Sequence, residues 1–140
     1  MARRTPCRRI ALVDRAAVVD WLEAYVRAWE SYSPEAIGAL FSDDAVYSYH
    51  PFDEPVAGRP AIVASWLKDP DARGTYEADY KPVAVDGDVA VVHGRSRYFK
   101  DSSRTELTNQ WDNIFVIEFD EHGRCRSFRE WWVAPRGQAE

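Results

Sequence analysis

Apolar residues fall on a helical stripe early in the chain and alternate in strand fashion later. Val18, Trp21, Leu22, Tyr25, Val26 and Trp29 recur at i, i+3, i+4, i+7, i+8 and i+11, which predicts one amphipathic helix over residues 14–30. Ser33-Pro34-Glu35 then supplies a cap, a proline at the first helical position and an acid near the positive end of the dipole. A short second helix is expected there, burying Ile37, Leu40 and Phe41 and ending at Asp43-Asp44. Residues 45–50, rich in Val and Tyr, read as a strand, and Pro51 and Pro55 bound a loop. Gly58-Arg59-Pro60 opens a third helix with Ile62, Val63, Trp66 and Leu67 on its apolar face, stopped by Asp69-Pro70.

From Gly74 onward four strands are predicted, at 75–85, 88–100, 105–119 and 124–134, with turns at Asp86-Gly87, Asp101 to Arg104 and Asp120 to Gly123. Each connection is short enough for a hairpin, so the four form an antiparallel meander. Strands of this length exceed the usual ~5–6 residues and bend, often at bulges; Pro82 suits such a position or an edge. The fold class expected is α+β: a cone-shaped, curved antiparallel sheet wrapped around three N-terminal helices in the order ααβαββββ.

At 140 residues the chain has the size of one domain. The expected boundaries are a basic N-terminal arm over 1–13, a single domain over 14–134 and a C-terminal tail over 135–140. Aromatic residues reach 14%, with six Trp, enough both to fill a small core and to line a cavity. A net charge of -5 argues against nucleic acid or anionic membranes as partners, although Arg3, Arg4, Arg8, Arg9 and Arg15 gather near the start. The apolar run Ile10 to Val13 is too short for a signal peptide, and no stretch approaches a membrane span. Cys7 and Cys125 lack metal or redox spacing, which fits a reducing cytoplasm without a structural disulfide.

Phe41-Ser42-Asp43-Asp44-Ala45-Val46, Gly58-Arg59-Pro60-Ala61-Ile62 and Phe128-Arg129-Glu130-Trp131-Trp132, set in this order of elements, resemble the nuclear transport factor two-like superfamily, a cystatin-like fold. The likeness covers residues 14–134 and is greatest to its SnoaL-like branch, which includes polyketide cyclases, ketosteroid isomerases and limonene epoxide hydrolase. It implies a pocket inside the cone and pairing of two copies through the sheet. By resemblance to the isomerases, Tyr25 occupies the position of the tyrosine that donates to the substrate oxygen. Their general-base aspartate falls on Tyr49 and their second oxyanion donor near Phe115, which disfavours steroid isomerase chemistry. Arg95 and Glu130 match the arginine and the last-strand acid of the epoxide hydrolases' Asp-Arg-Asp arrangement, while its other acid falls on Arg97.

Strand alternation groups Phe128, Glu130 and Trp132 on one face, Trp111, Asn113 and Phe115 on another, and Val91, His93, Arg95 and Arg97 on a third. The candidate catalytic residues are therefore Tyr25, His93, Arg95 and Glu130. The candidate ligand-binding residues are Trp29, Tyr49, Trp66, Arg97, Trp111, Asn113, Phe115, Phe128 and Trp132. Glu130 beside Arg95 would stay ionised, whereas Glu130 alone among tryptophans would have a raised pKa and suit acid/base work. His50, His93 and His122 show no metal-ligand spacing, and no nucleophile elbow or nucleotide fingerprint occurs, so no metal and no cofactor are expected. The expected function is binding of a small, mostly hydrophobic organic molecule, extended by cyclase, isomerase or hydrolase-type chemistry. The alternative is a non-catalytic ligand-binding or protein-interaction module. Val92, Ile114, Val116 and Trp131 are expected on the outer sheet face, as the surface of a homodimer.

Overall fold

The first helix, α1 (Arg15–Ser31), begins where the Asp14 carboxylate accepts from the Ala17 amide at 2.8 Å, and ends at Tyr32, whose left-handed backbone lets its amide reach Ala28 O. The structure is a computed structural model and describes residues 13–139; the arm, apart from Val13, and Cys7 lie outside the described residues. Arg15, grouped with the arm on sequence, instead opens α1 and donates to Pro82 O at 2.9 Å. Ser33 caps the five-residue α2 (Pro34–Gly38).

Strand β1 (Phe41–Ser48) starts earlier than expected, and Phe41 and the Asp43-Asp44 pair belong to it rather than to the end of α2. Phe41, Ala45 and Tyr47 are buried while both acids face solvent, so a bulge in the pairing absorbs the acidic pair without breaking the strand. Two-residue β2 (Val56–Ala57) pairs with β1 and leads into α3 (Arg59–Lys68), entered through Gly58 at φ +91°.

The predicted strand 75–85 is two strands, β3 (Tyr76–Ala78) and β4 (Lys81–Asp86), which pair with successive parts of β5 (Val89–Phe99). Strands β6 (Leu107–Phe119) and β7 (Cys125–Val133) complete a curved, seven-stranded sheet in the order β2-β1-β7-β6-β5-β3, with β4 also on β5. Its pairings are antiparallel except that β1 runs parallel to β7. Register shifts in β4, β5 and β6 bend the long strands; the one in β4 lies between Pro82 and Ala84. In the tail, Gln138 exchanges two side-chain hydrogen bonds with the Gln110 backbone.

The elements run from a solid half to a hollow half. Val18 and Trp21 of α1, Phe41 of β1, Val92 of β5, Ile117 and Phe119 of β6 and Phe128 of β7 fill the solid half. Trp21 is fixed there by donating to Leu40 O at 3.1 Å. Further along the same elements lie Tyr25, Tyr47, Ser96, Asn113 and Glu130, and the hollow begins. Among the described residues no helix is long and apolar enough to cross a membrane.

Candidate functional site

A layer of stacked rings closes the solid half. Phe128 lies parallel to Tyr47 with ring centroids 4.4 Å apart, and nearly parallel to Tyr25 at 5.6 Å; Phe115 packs against Phe128 at 4.7 Å. Above this layer a cavity of about 300 Å³ opens, large enough for a small organic molecule. Of the residues expected at the site, Tyr25, Trp29, Tyr49, Trp66, Trp111, Asn113, Glu130 and Trp132 line it. Phe115 and Phe128 do not. They are fully buried beneath the tyrosines and support the floor.

His93, Arg95 and Arg97 are on the opposite face of the sheet. Val92, expected on the outer face, is instead fully buried opposite Phe115, and Gly94 lies opposite Asn113, so it is the even-numbered residues of β5 that point inward. Alternation shows which residues share a face, but a shift of one residue exchanges the two faces, and only the neighbouring strand decides between them. On the outside, the Asp112 carboxylate meets His93 Nε2 at 2.8 Å and accepts from Arg95 Nε at 3.1 Å, while Arg97 faces Asp79 at 4.0 Å. Partial burial works to raise the Asp112 pKa, but those hydrogen bonds prevail and hold it below the usual carboxylate value.

Glu130 is thus separated from Arg95. Among the described residues its carboxyl makes no hydrogen bond or ion pair, and burial alone pushes its pKa from 4.5 up to about 8. At neutral pH roughly nine in ten such groups are protonated, so the resting form is a proton donor. Burial also raises Tyr25, Tyr47 and Tyr80 well above the ordinary phenol value, and the nearby Glu130 charge adds to this. The Tyr25 and Tyr47 hydroxyls are 3.0 Å apart; whichever donates to the other, one O–H remains to be offered elsewhere. Ser96 Oγ donates to Asn113 Oδ1 at 3.1 Å, and Tyr49 and Ser65 share a 2.7 Å hydrogen bond. Trp66 Nε1 is buried without an acceptor among the described residues.

The sequence reading missed Tyr32, Tyr47, Ser65, Asp69, Asp71, Tyr80, Ser96 and Tyr98, which also line the cavity. Some were legible: Tyr47 shares strand parity with Tyr49, and Ser65 and Asp69 continue the helical stripe of Ile62 and Trp66. Tyr80 was not. It sits in the break between β3 and β4 and passes over Gly94, where an added Cβ would come within 2.7 Å of Asp79 O and Tyr80 Cα. A backbone that close requires glycine.

The family model for the SnoaL-like domain matches residues 22–128. The chain belongs to the SnoaL-like family. Solved structures similar to this SnoaL-like domain share its curved sheet and N-terminal helices. An epoxide hydrolase of the LEH-like kind from M. tuberculosis is 16% identical, with 85% of this chain and 84% of that one covered at a TM-score of 0.60. SalBIII, described as an epoxide hydrolase/cyclase-like enzyme in pyran ring formation in the polyether salinomycin, is 19% identical, with coverage of 86% and 93% at a TM-score of 0.64. An NTF-2 like protein of unknown function from Burkholderia xenovorans LB400 is 15% identical, with coverage of 89% and 88% at 0.65. At these identities the likeness establishes the fold alone. A search of curated proteins finds no match for this SnoaL-like domain.

Proposed function

We propose that this SnoaL-like domain binds a small, mostly hydrophobic organic molecule in the cone cavity and carries out acid/base chemistry on it with Glu130 as the proton carrier. The observation that supports this is a carboxyl in the cavity wall with no basic partner among the described residues and a pKa raised to about 8. The epoxide hydrolase and cyclase-like relatives suggest a reaction class, ring opening or ring closure at oxygen. Glu130 donates its proton to an ether or epoxide oxygen as the carbon–oxygen bond breaks. Water or a hydroxyl of the substrate attacks that carbon, and its released proton restores Glu130. The spare O–H of the Tyr25 and Tyr47 pair orients the oxygen that receives the proton.

The test is turnover of small aromatic epoxides and hydroxy-epoxides, read by product analysis. Glu130→Gln should lower the rate at least ~100-fold with the fold intact. Equal turnover by the variant removes Glu130 from the chemistry, and no turnover by the wild type overturns the enzyme reading. A non-catalytic ligand-binding module is the second reading, favoured by one observation: with Arg95 and Arg97 outside, no arginine among the described residues lines the cavity as in the hydrolase-like arrangement. Binding of such ligands without conversion would select it.

We also propose that two copies pair through the outer sheet face, where Trp131, Val133 and Val83 are exposed. Sedimentation at micromolar concentration should give a dimer; a monomer overturns this.

A further inference from the structure

The ionisable groups of the cavity lining are unbalanced. Glu130, Asp69 and Asp71 are its carboxyls, and among the described residues no Lys, Arg or His lines it; most of the remaining lining is Tyr and Trp. Asp71 follows α3, and its Oδ2 accepts from Trp29 Nε1 at 3.0 Å and from the Tyr32 hydroxyl at 3.2 Å. These two bonds aim the carboxylate, while Oδ1 has no partner among the described residues. Tyr98 packs edge-on to Trp29 with centroids 6.0 Å apart and lines the same cavity. Glu130 is a further carboxyl of the lining, with no hydrogen-bond or ion-pair partner among the described residues.

Aromatic rings present negative π-faces that attract a cation, and a carboxylate beside them adds a full charge. An anionic ligand would meet carboxyls and electron-rich rings with no cationic side chain among the described residues to neutralise it. A neutral ligand can donate an O–H or N–H to the open Asp71 oxygen but leaves its charge unbalanced.

We propose that the ligand of this cavity is a hydrophobic amine. Its ammonium sits against Asp71 Oδ1 among the rings of Trp29, Tyr32 and Tyr98, and its apolar body extends past Trp111 and Trp132 toward Glu130. The inference rests on the cavity being the ligand site and adds the charge class of the ligand. It assigns Asp71 to recognition and leaves Glu130 for chemistry.

Isothermal titration calorimetry at pH 7 with three probes of matched shape tests it: 2-phenylethylamine, 2-phenylethanol and 3-phenylpropionate. The amine should bind at least ~10-fold more tightly than the alcohol, and the carboxylate more weakly than either. Asp71→Asn keeps an oxygen that accepts from Trp29 and Tyr32, and should bring the amine to within ~3-fold of the alcohol. His93→Ala should keep the preference, because it alters a group on the outer face of the sheet. An amine that binds no better than the alcohol, or a preference that survives in Asp71→Asn, overturns the proposal. Should Asp71→Asn fail to fold, Asp71→Glu retains the charge and must retain the preference; its loss there also overturns the proposal. Turnover is not part of this measurement. An amine preference together with undiminished turnover by Glu130→Gln would leave this inference standing and remove the acid/base reading, and the reverse pair of results would do the opposite.

Discussion

Replacing Glu130 by Gln should stabilise the protein increasingly as pH rises. In the folded chain the carboxyl titrates near 8, because burial without a partner penalises its charge; unfolded, it titrates near 4.5. Between these values the folded state holds a proton that the unfolded state has lost, so stability falls as pH rises through that window. The slope is about 1.4 kcal/mol per pH unit. The loss relative to acid pH is about 3 kcal/mol at pH 7, about 4 kcal/mol at pH 8 and about 5 kcal/mol at pH 9 and above, all ceilings because water in the cavity softens the penalty. Gln is uncharged throughout and matches the protonated acid in shape. Wild type and Glu130→Gln should therefore have similar stability below pH 5 and diverge from there to about pH 8, with the variant the more stable. Urea unfolding followed by tryptophan fluorescence at pH 5, 6, 7, 8 and 9 would measure this, since every other titrating group cancels in the difference. A difference that stays constant with pH would refute the reasoning. Glu130 would then be solvated or paired, and its case as an acid would fall with it.

Gly94→Ala should destabilise the domain by roughly 1–3 kcal/mol in urea unfolding and push Tyr80 out of the cavity wall, because the new methyl collides with the Asp79 and Tyr80 backbone; unchanged stability would show that the crossing can relax. His93→Ala and Arg95→Ala should each change stability by less than about 1 kcal/mol and leave cavity binding as in the wild type, since both side chains pair with Asp112 on the outer face; weaker binding by calorimetry would return them to the site. Cys125 is fully buried, and burial holds its thiol far above the usual pKa, so peptide mapping after alkylation should find it unmodified in native protein and reactive after unfolding.

The helical stripe from Val18 to Trp29 and the Ser33-Pro34 start of α2 are local properties, so α1, α2 and the hairpin turns could be read from the chain alone. Strand parity likewise grouped Phe128, Glu130 and Trp132 before any coordinates. The inward face of β5 was a different matter. His93, Arg95 and Arg97 form one parity class and Val92, Gly94 and Ser96 the other, and the basic side chains favour solvent for the first class while the resemblance placed Arg95 in the pocket. The choice came from β6, where Phe115 needs Val92 opposite it in the core, and from Tyr80, which needs Gly94 beneath it.

That single choice moved Arg95 to the outer face and left Glu130 unpaired. The sequence by itself determined the helices, most of the strands and several of the aromatic walls, because periodicity and turn chemistry act over a few residues, and its motifs carried the resemblance to the family. Only the tertiary structure decided the charge state of the cavity. A carboxyl's pKa depends on what surrounds it in space, and here those surroundings are assembled from α1, β1, the β3–β4 break, β5 and β6, segments far apart in the chain.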